Sequence, residues 1–137
     1  MTRSGNPAQQ PAGGSLQRWA RWTFWLLLLI VVALTLSPTT YLPSQAFTLW
    51  DKAQHALAFA ALGALGALAY PRRLGLLAAN LLLFGGAIEL AQAATGWRSG
   101  DWADWLADAV GLVAGLVLVA RLSRCAVARS PAGRSAP

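Results

Sequence analysis

Residues 88–111 read IELAQAATGWRSGDWADWLADAVG, and their interpretation decides the fold. This stretch holds Glu89, Asp101, Asp104 and Asp108, four of the five acidic residues in the protein. It also holds Arg98 and three of the seven tryptophans. Apolar runs long enough to cross a bilayer lie on both sides. Ionisable residues within such runs are costly in lipid and mark a functional position by default.

Outward from this stretch, the composition points to a bilayer as solvent. Apolar residues make up 56% of the chain and charged residues 12%, about half the charged share of an ordinary soluble domain. The net charge is +6, but the basic residues are scattered at segment ends. They form no stripe of the kind that binds nucleic acid. The single cysteine, Cys125, allows neither an internal disulfide nor a cysteine metal cluster.

Four apolar runs are predicted as helices: Trp19–Leu36, Ala53–Tyr70, Leu74–Ala94 and Trp102–Leu122. Eighteen helical residues rise ~27 Å, close to the thickness of a hydrocarbon core. The first run has the basic start of a signal peptide. No small-x-small cleavage site follows it, so it reads as an uncleaved span. The second run is thin, with Gly63, Gly66 and many alanines, as suits close helix contact in lipid. In the fourth, Gly111 and Gly115 form a small-residue pair that reads as tight packing. Residues 1–17 and 123–137 are rich in small and polar residues and are expected to be disordered tails. The expected fold is therefore all-α, a polytopic bundle of four transmembrane helices over residues 18–122.

With four spans both tails share one side, together with Arg3, Arg18, Arg21, Arg72, Arg73, Arg121, Arg124, Arg129 and Arg134. Only Lys52 and Arg98 fall on the other side. The positive-inside rule then makes both tails cytoplasmic. All seven tryptophans fall near one interface or the other, as an aromatic belt requires.

This topology gathers all five acidic residues at the outer end, with His55, Lys52, Gln92 and Arg98. Asp51 and His55 are four residues apart and share a helix face, with Phe59 one turn deeper. Glu89 and Gln92 share a face of the third helix. Asp101, Asp104 and Asp108 descend one stripe of the fourth. Glu89 and Asp108 lie about a turn and a half inside their runs, so both should face the interior. Asp51, Lys52, His55, Glu89, Gln92, Arg98, Asp101, Asp104 and Asp108 are the candidate ligand-binding residues.

Three roles compete for this cluster. It can be a structural ion network that fixes helix register. It can hold a divalent metal through His55, Glu89, Asp104 and Asp108, although no recognised ligand spacing is present. It can bind or process an envelope lipid, with Arg98 gripping a phosphate and Asp51, His55 or Glu89 acting as general acid or base. The pattern identifies no cofactor. Ser99 is the nearest hydroxyl that could serve as a nucleophile.

At these residues the chain resembles the VanZ-like membrane protein family. The matching elements are Asp51-Lys52-x-x-His55-x-x-x-Phe59-x-x-Leu62-Gly63, then Ile88-Glu89-x-x-Gln92, then Arg98 followed by Asp101, Asp104, Gly111 and Gly115. The family usually shows Asn where this chain has Asp108. The resemblance implies a small multi-pass protein of the bacterial cytoplasmic membrane, in a family whose namesake is associated with reduced susceptibility to the glycopeptide teicoplanin. On this basis the expected function is binding of a polar lipid or peptidoglycan precursor in the outer leaflet. The alternative is a small membrane enzyme acting on a lipid-linked envelope substrate, with or without a divalent metal.

Overall fold

The structure, a computed structural model, describes residues 13–37, 48–96 and 100–128. Among them the chain forms four helices and no strand: α1 (Gly13–Thr35), α2 (Thr48–Ala69), α3 (Leu74–Thr95) and α4 (Trp102–Ala128). Three helices run several residues past their expected bounds: α2 begins at Thr48 rather than Ala53, and α1 and α4 extend at the expense of the expected tails. α1 begins at Gly13 because its first turns dock on the end of α2. There Gln17 Nε2 and Arg21 Nε donate to the Ala69 carbonyl at 3.0 and 3.3 Å. This satisfies an acceptor that a helix C-terminus otherwise leaves open. α4 continues past Leu122 to Ala128, since no Pro or Gly interrupts residues 123–128.

Among the described residues, three helical segments are long and apolar enough to cross a membrane: Gly14–Thr35, Leu74–Thr95 and Trp102–Ala128. α2 is not among them, because its first turns carry Asp51, Lys52, Gln54 and His55. Many large apolar side chains point outward, including Leu26, Leu29, Leu83, Leu90, Val113 and Leu118. A surface of that kind suits lipid rather than water.

The ends of the helices follow local chemistry. α2 stops just before Tyr70-Pro71, where proline disfavours further helix. The chain turns there, with Arg73 N–H donating to the Tyr70 carbonyl at 3.0 Å. α3 ends at Gly96, whose φ of 76° is the left-handed conformation that glycine adopts without a Cβ penalty.

α2 is the central helix and touches each of the other three. The core is formed by Phe24 and Val31 of α1, Phe59 and Leu62 of α2, Leu77, Leu81 and Ile88 of α3, and Leu112 of α4. α2 and α4 run parallel and lie very close. A Cβ placed on Gly111 or Gly115 would run into the backbone of Ala56 or Ala60. One placed on Gly63 would stand 2.8 Å from the Leu112 carbonyl oxygen. The glycines expected from sequence to permit close contact do so here, and that contact aligns the acidic turns of α4 with the polar start of α2.

Candidate functional site

The polar groups converge where the start of α2, the end of α3 and the start of α4 meet. Asp101 precedes α4 and acts as its N-cap: Oδ1 accepts the Ala103 N–H at 2.9 Å, and its carbonyl accepts that of Asp104 at 2.9 Å. The same residue reaches the other two helices. Its backbone N–H donates to Glu89 Oε2 of α3 at 2.7 Å, and its Oδ2 accepts from Lys52 Nζ of α2 at 2.7 Å. Lys52 also donates to Asp104 Oδ1 at 2.9 Å. Hydrogen bonds to Asp101 and then Asp104 hold the Lys52 ammonium well above its ordinary pKa. Lys52 and then the Ala103 amide hold the Asp101 carboxyl below the usual carboxylate range. Because Lys52 and Asp101 are both partly exposed, their pair contributes little stability on its own.

One turn deeper the surroundings become dry. His55 Nδ1 lies 2.9 Å from Asp108 Oδ1, with the two side chains 5% and 0% exposed. Glu89 is 8% exposed and Asp104 5%. Two oxygens in this layer, Glu89 Oε1 and Asp108 Oδ2, are buried without a hydrogen-bond partner. Leaving such an acceptor unsatisfied costs about 1–3 kcal/mol, more when it is charged. Donor atoms of His55, Glu89 and Asp108 lie within 4.8 Å of one another, as do those of Asp51, His55 and Asp104. His55 belongs to both groups, and the four metal candidates from sequence are divided between them.

Two glycines create the room. At Gly85 of α3 a Cβ would come within 2.6 Å of Asp108 Oδ2 and 3.2 Å of the Phe59 ring. At Gly100 a Cβ would collide with the Glu89 carbonyl, so only glycine lets the chain pass so near the end of α3. The fully buried Phe59, stacked on Phe84 at 6.1 Å, and Leu62 and Leu112 form the apolar layer next to the cluster. Nearby, a groove of about 310 Å³ runs between α3 and α4, lined by Gly86, Glu89, Leu90, Ala93, Gly100, Trp102 and Trp105. Trp105 closes one stretch of the α3–α4 seam by donating Nε1–H to the Leu82 carbonyl at 2.9 Å. Among the described residues Glu89 is the one ionisable side chain in that lining, and the groove meets the buried cluster there.

The structure thus brings together Asp51, Lys52, His55, Glu89, Asp101, Asp104 and Asp108. Gln92 is turned elsewhere: its Nε2 donates to the Thr35 carbonyl at 3.0 Å, tying α3 to the end of α1. Arg98 and Ser99 lie outside the described residues. Glu89 Oε2 takes a backbone amide, and the Lys52 ammonium is bound between two carboxylates. Gly85 was missed altogether. The only signal for it was its position four residues before Glu89, on the same face of α3.

No family model, curated protein or solved structure matches the chain.

Proposed function

We propose that this chain is a VanZ-like protein of the bacterial cytoplasmic membrane that crosses the bilayer four times with both tails in the cytoplasm. In this reading α2 is the fourth span. Its Lys52 and His55 find carboxylates on α4, so it tolerates a polar start that a helix facing lipid all round would not. The acidic end then faces outward, and Arg18, Arg21, Arg72, Arg73, Arg121 and Arg124 at the opposite end face the cytoplasm.

Its function is to bind the polar head group of an envelope lipid or a cell-wall intermediate in the outer leaflet, and so to influence susceptibility to glycopeptides such as teicoplanin. The observation that carries this reading is the pair of partnerless buried oxygens, on Glu89 and Asp108, beside an apolar groove that Glu89 also lines. The groove suits an acyl or prenyl chain, with the flat faces of Trp102 and Trp105 at the head-group level. The carboxylate surplus favours a head group that carries an amine or a bound cation.

The experiment is a lipid inventory of the protein purified in mild detergent, set beside Glu89→Gln. Co-purification of one polar lipid class with the wild type, at about one per chain, and its loss in Glu89→Gln is the expected result. Equal, unselective lipid in both proteins would overturn the reading.

A second reading is favoured by one observation. His55 held by Asp108 resembles a base oriented by a carboxylate, which suits an enzyme acting on a lipid-linked substrate. Conversion of an added lipid-linked substrate by the wild type, but not by His55→Gln, would select it over simple binding.

A further inference from the structure

We propose that His55, Glu89 and Asp108 form a binding site for one divalent transition-metal cation of the zinc or manganese class. This goes beyond the head-group reading and stands without it. Three helices each supply one donor: imidazole from α2 and a carboxylate from each of α3 and α4, with donor atoms within 4.8 Å of one another. Around an ion with metal–ligand distances of about 2.0–2.2 Å, neighbouring donors lie roughly 3–3.5 Å apart. The three side chains therefore need only small rotations to close on it.

The strongest argument is the state of each side chain. Glu89 has one oxygen held by the Asp101 N–H and one left bare. Asp108 has one oxygen against His55 and one left bare. His55 Nδ1 and Asp108 Oδ1, 2.9 Å apart, already stand near the spacing of two neighbouring donors on one ion, so the ion takes the place of the proton between them. Glu89 has the common arrangement of a metal ligand, with one oxygen fixed by a neighbour and the other kept for the ion. A dication also balances charge, since two carboxylates and a neutral imidazole sum to −2 in a place that water barely reaches. One imidazole with two carboxylates suits a borderline dication better than magnesium or calcium, which prefer oxygen alone. Three protein donors leave at least one coordination position open, and Glu89 joins this layer to the groove. A phosphate oxygen or water arriving from the groove can take that position.

The test uses the full chain in detergent, stripped with a chelator and then titrated separately with Zn²⁺, Mn²⁺ and Mg²⁺. Bound metal is counted by elemental analysis after dialysis, and thermal unfolding is followed in parallel. Zinc or manganese should bind at one ion per chain, raise the unfolding midpoint by roughly 5 °C or more at saturation, and exceed magnesium in affinity. Glu89→Gln and Asp108→Asn should each weaken binding about tenfold or more, while Asn80→Ala, on an exposed stretch of α3 away from the cluster, should leave it within about threefold. Cobalt as a spectroscopic probe should show visible bands that His55→Gln alters, a readout independent of stability. Absence of stoichiometric metal, or binding unchanged in Glu89→Gln, Asp108→Asn and His55→Gln alike, overturns the proposal. Because no lipid is added, none of these results depends on whether the head-group reading holds.

Discussion

Asp108 of α4 presses its Oδ2 toward the backbone of Gly85 in α3, so closely that a Cβ on Gly85 would lie 2.6 Å from that oxygen. A carboxylate and a bare stretch of helix are thus fitted to each other. Gly85→Ala should force Asp108 out of place and destabilise the protein by about 1–3 kcal/mol, as overpacking of a dense interior does. Thermal unfolding in detergent measures this. The double variant Gly85→Ala/Asp108→Ala should regain part of the loss, because the two changes meet at one point. Strict additivity of the two single effects would mean that the contact has no energetic weight.

The Lys52–Asp101 pair predicts how stability responds to pH. The folded-state pKa of Asp101 lies below its ordinary 3.8, so its contribution is present above that value and is lost as pH falls through the lowered one. The folded-state pKa of Lys52 lies above its ordinary 10.5, so its contribution is present below that value and is lost only as pH rises through the raised one. This pair should therefore add only a small acid-side decline to the unfolding midpoint below about pH 5, as suits a partly exposed ion pair. Lys52→Met should shrink the acid-side decline relative to wild type. Identical profiles for the two proteins would show that the pair makes no contribution.

Gly63 stands against the Leu112 carbonyl, where the parallel helices α2 and α4 come together. Gly63→Leu should separate them and lower stability by about 1–3 kcal/mol or more. The same substitution at Gly14, which has open space around it, should change stability far less. Equal effects at the two positions would contradict the close α2–α4 approach.

Topology is open to a labelling experiment. Cys125 is exposed near the end of α4 that carries Arg121 and Arg124. In intact spheroplasts a membrane-impermeant thiol reagent should leave it unmodified until the membrane is opened. In a Cys125→Ser background, Gln45→Cys should be modified from outside and Gly133→Cys should not. Labelling of Gly133→Cys alone in intact cells would reverse the orientation.

The helical character and the location of the polar cluster were legible in the sequence because lipid-compatible chains announce both. Long apolar runs mark the helices, and ionisable residues such as Glu89 and Asp108 inside them must find an interior partner. The partners themselves were not legible. Glu89 takes a backbone N–H, a donor that every residue but proline carries and that no side-chain pattern reveals. Lys52 lies beside two carboxylates because α4 is parallel to α2 at a particular register, and that register is set by Gly63, Gly111 and Gly115. The extra turns of α1 depend on the Ala69 carbonyl, a tertiary contact that local composition does not encode.

The pairing of α2 with α4 has a consequence for biosynthesis. These two helices carry His55 and Asp108, which are 53 residues apart in the chain. While the ribosome is still making α4, His55 lacks Asp108, and Glu89 waits for an amide that arrives twelve residues later. The cluster is therefore complete only with the last helix. A nascent chain that stops before Asp101 lacks both carboxylates that hold Lys52, the Asp108 carboxylate beside His55 and the amide that Glu89 accepts.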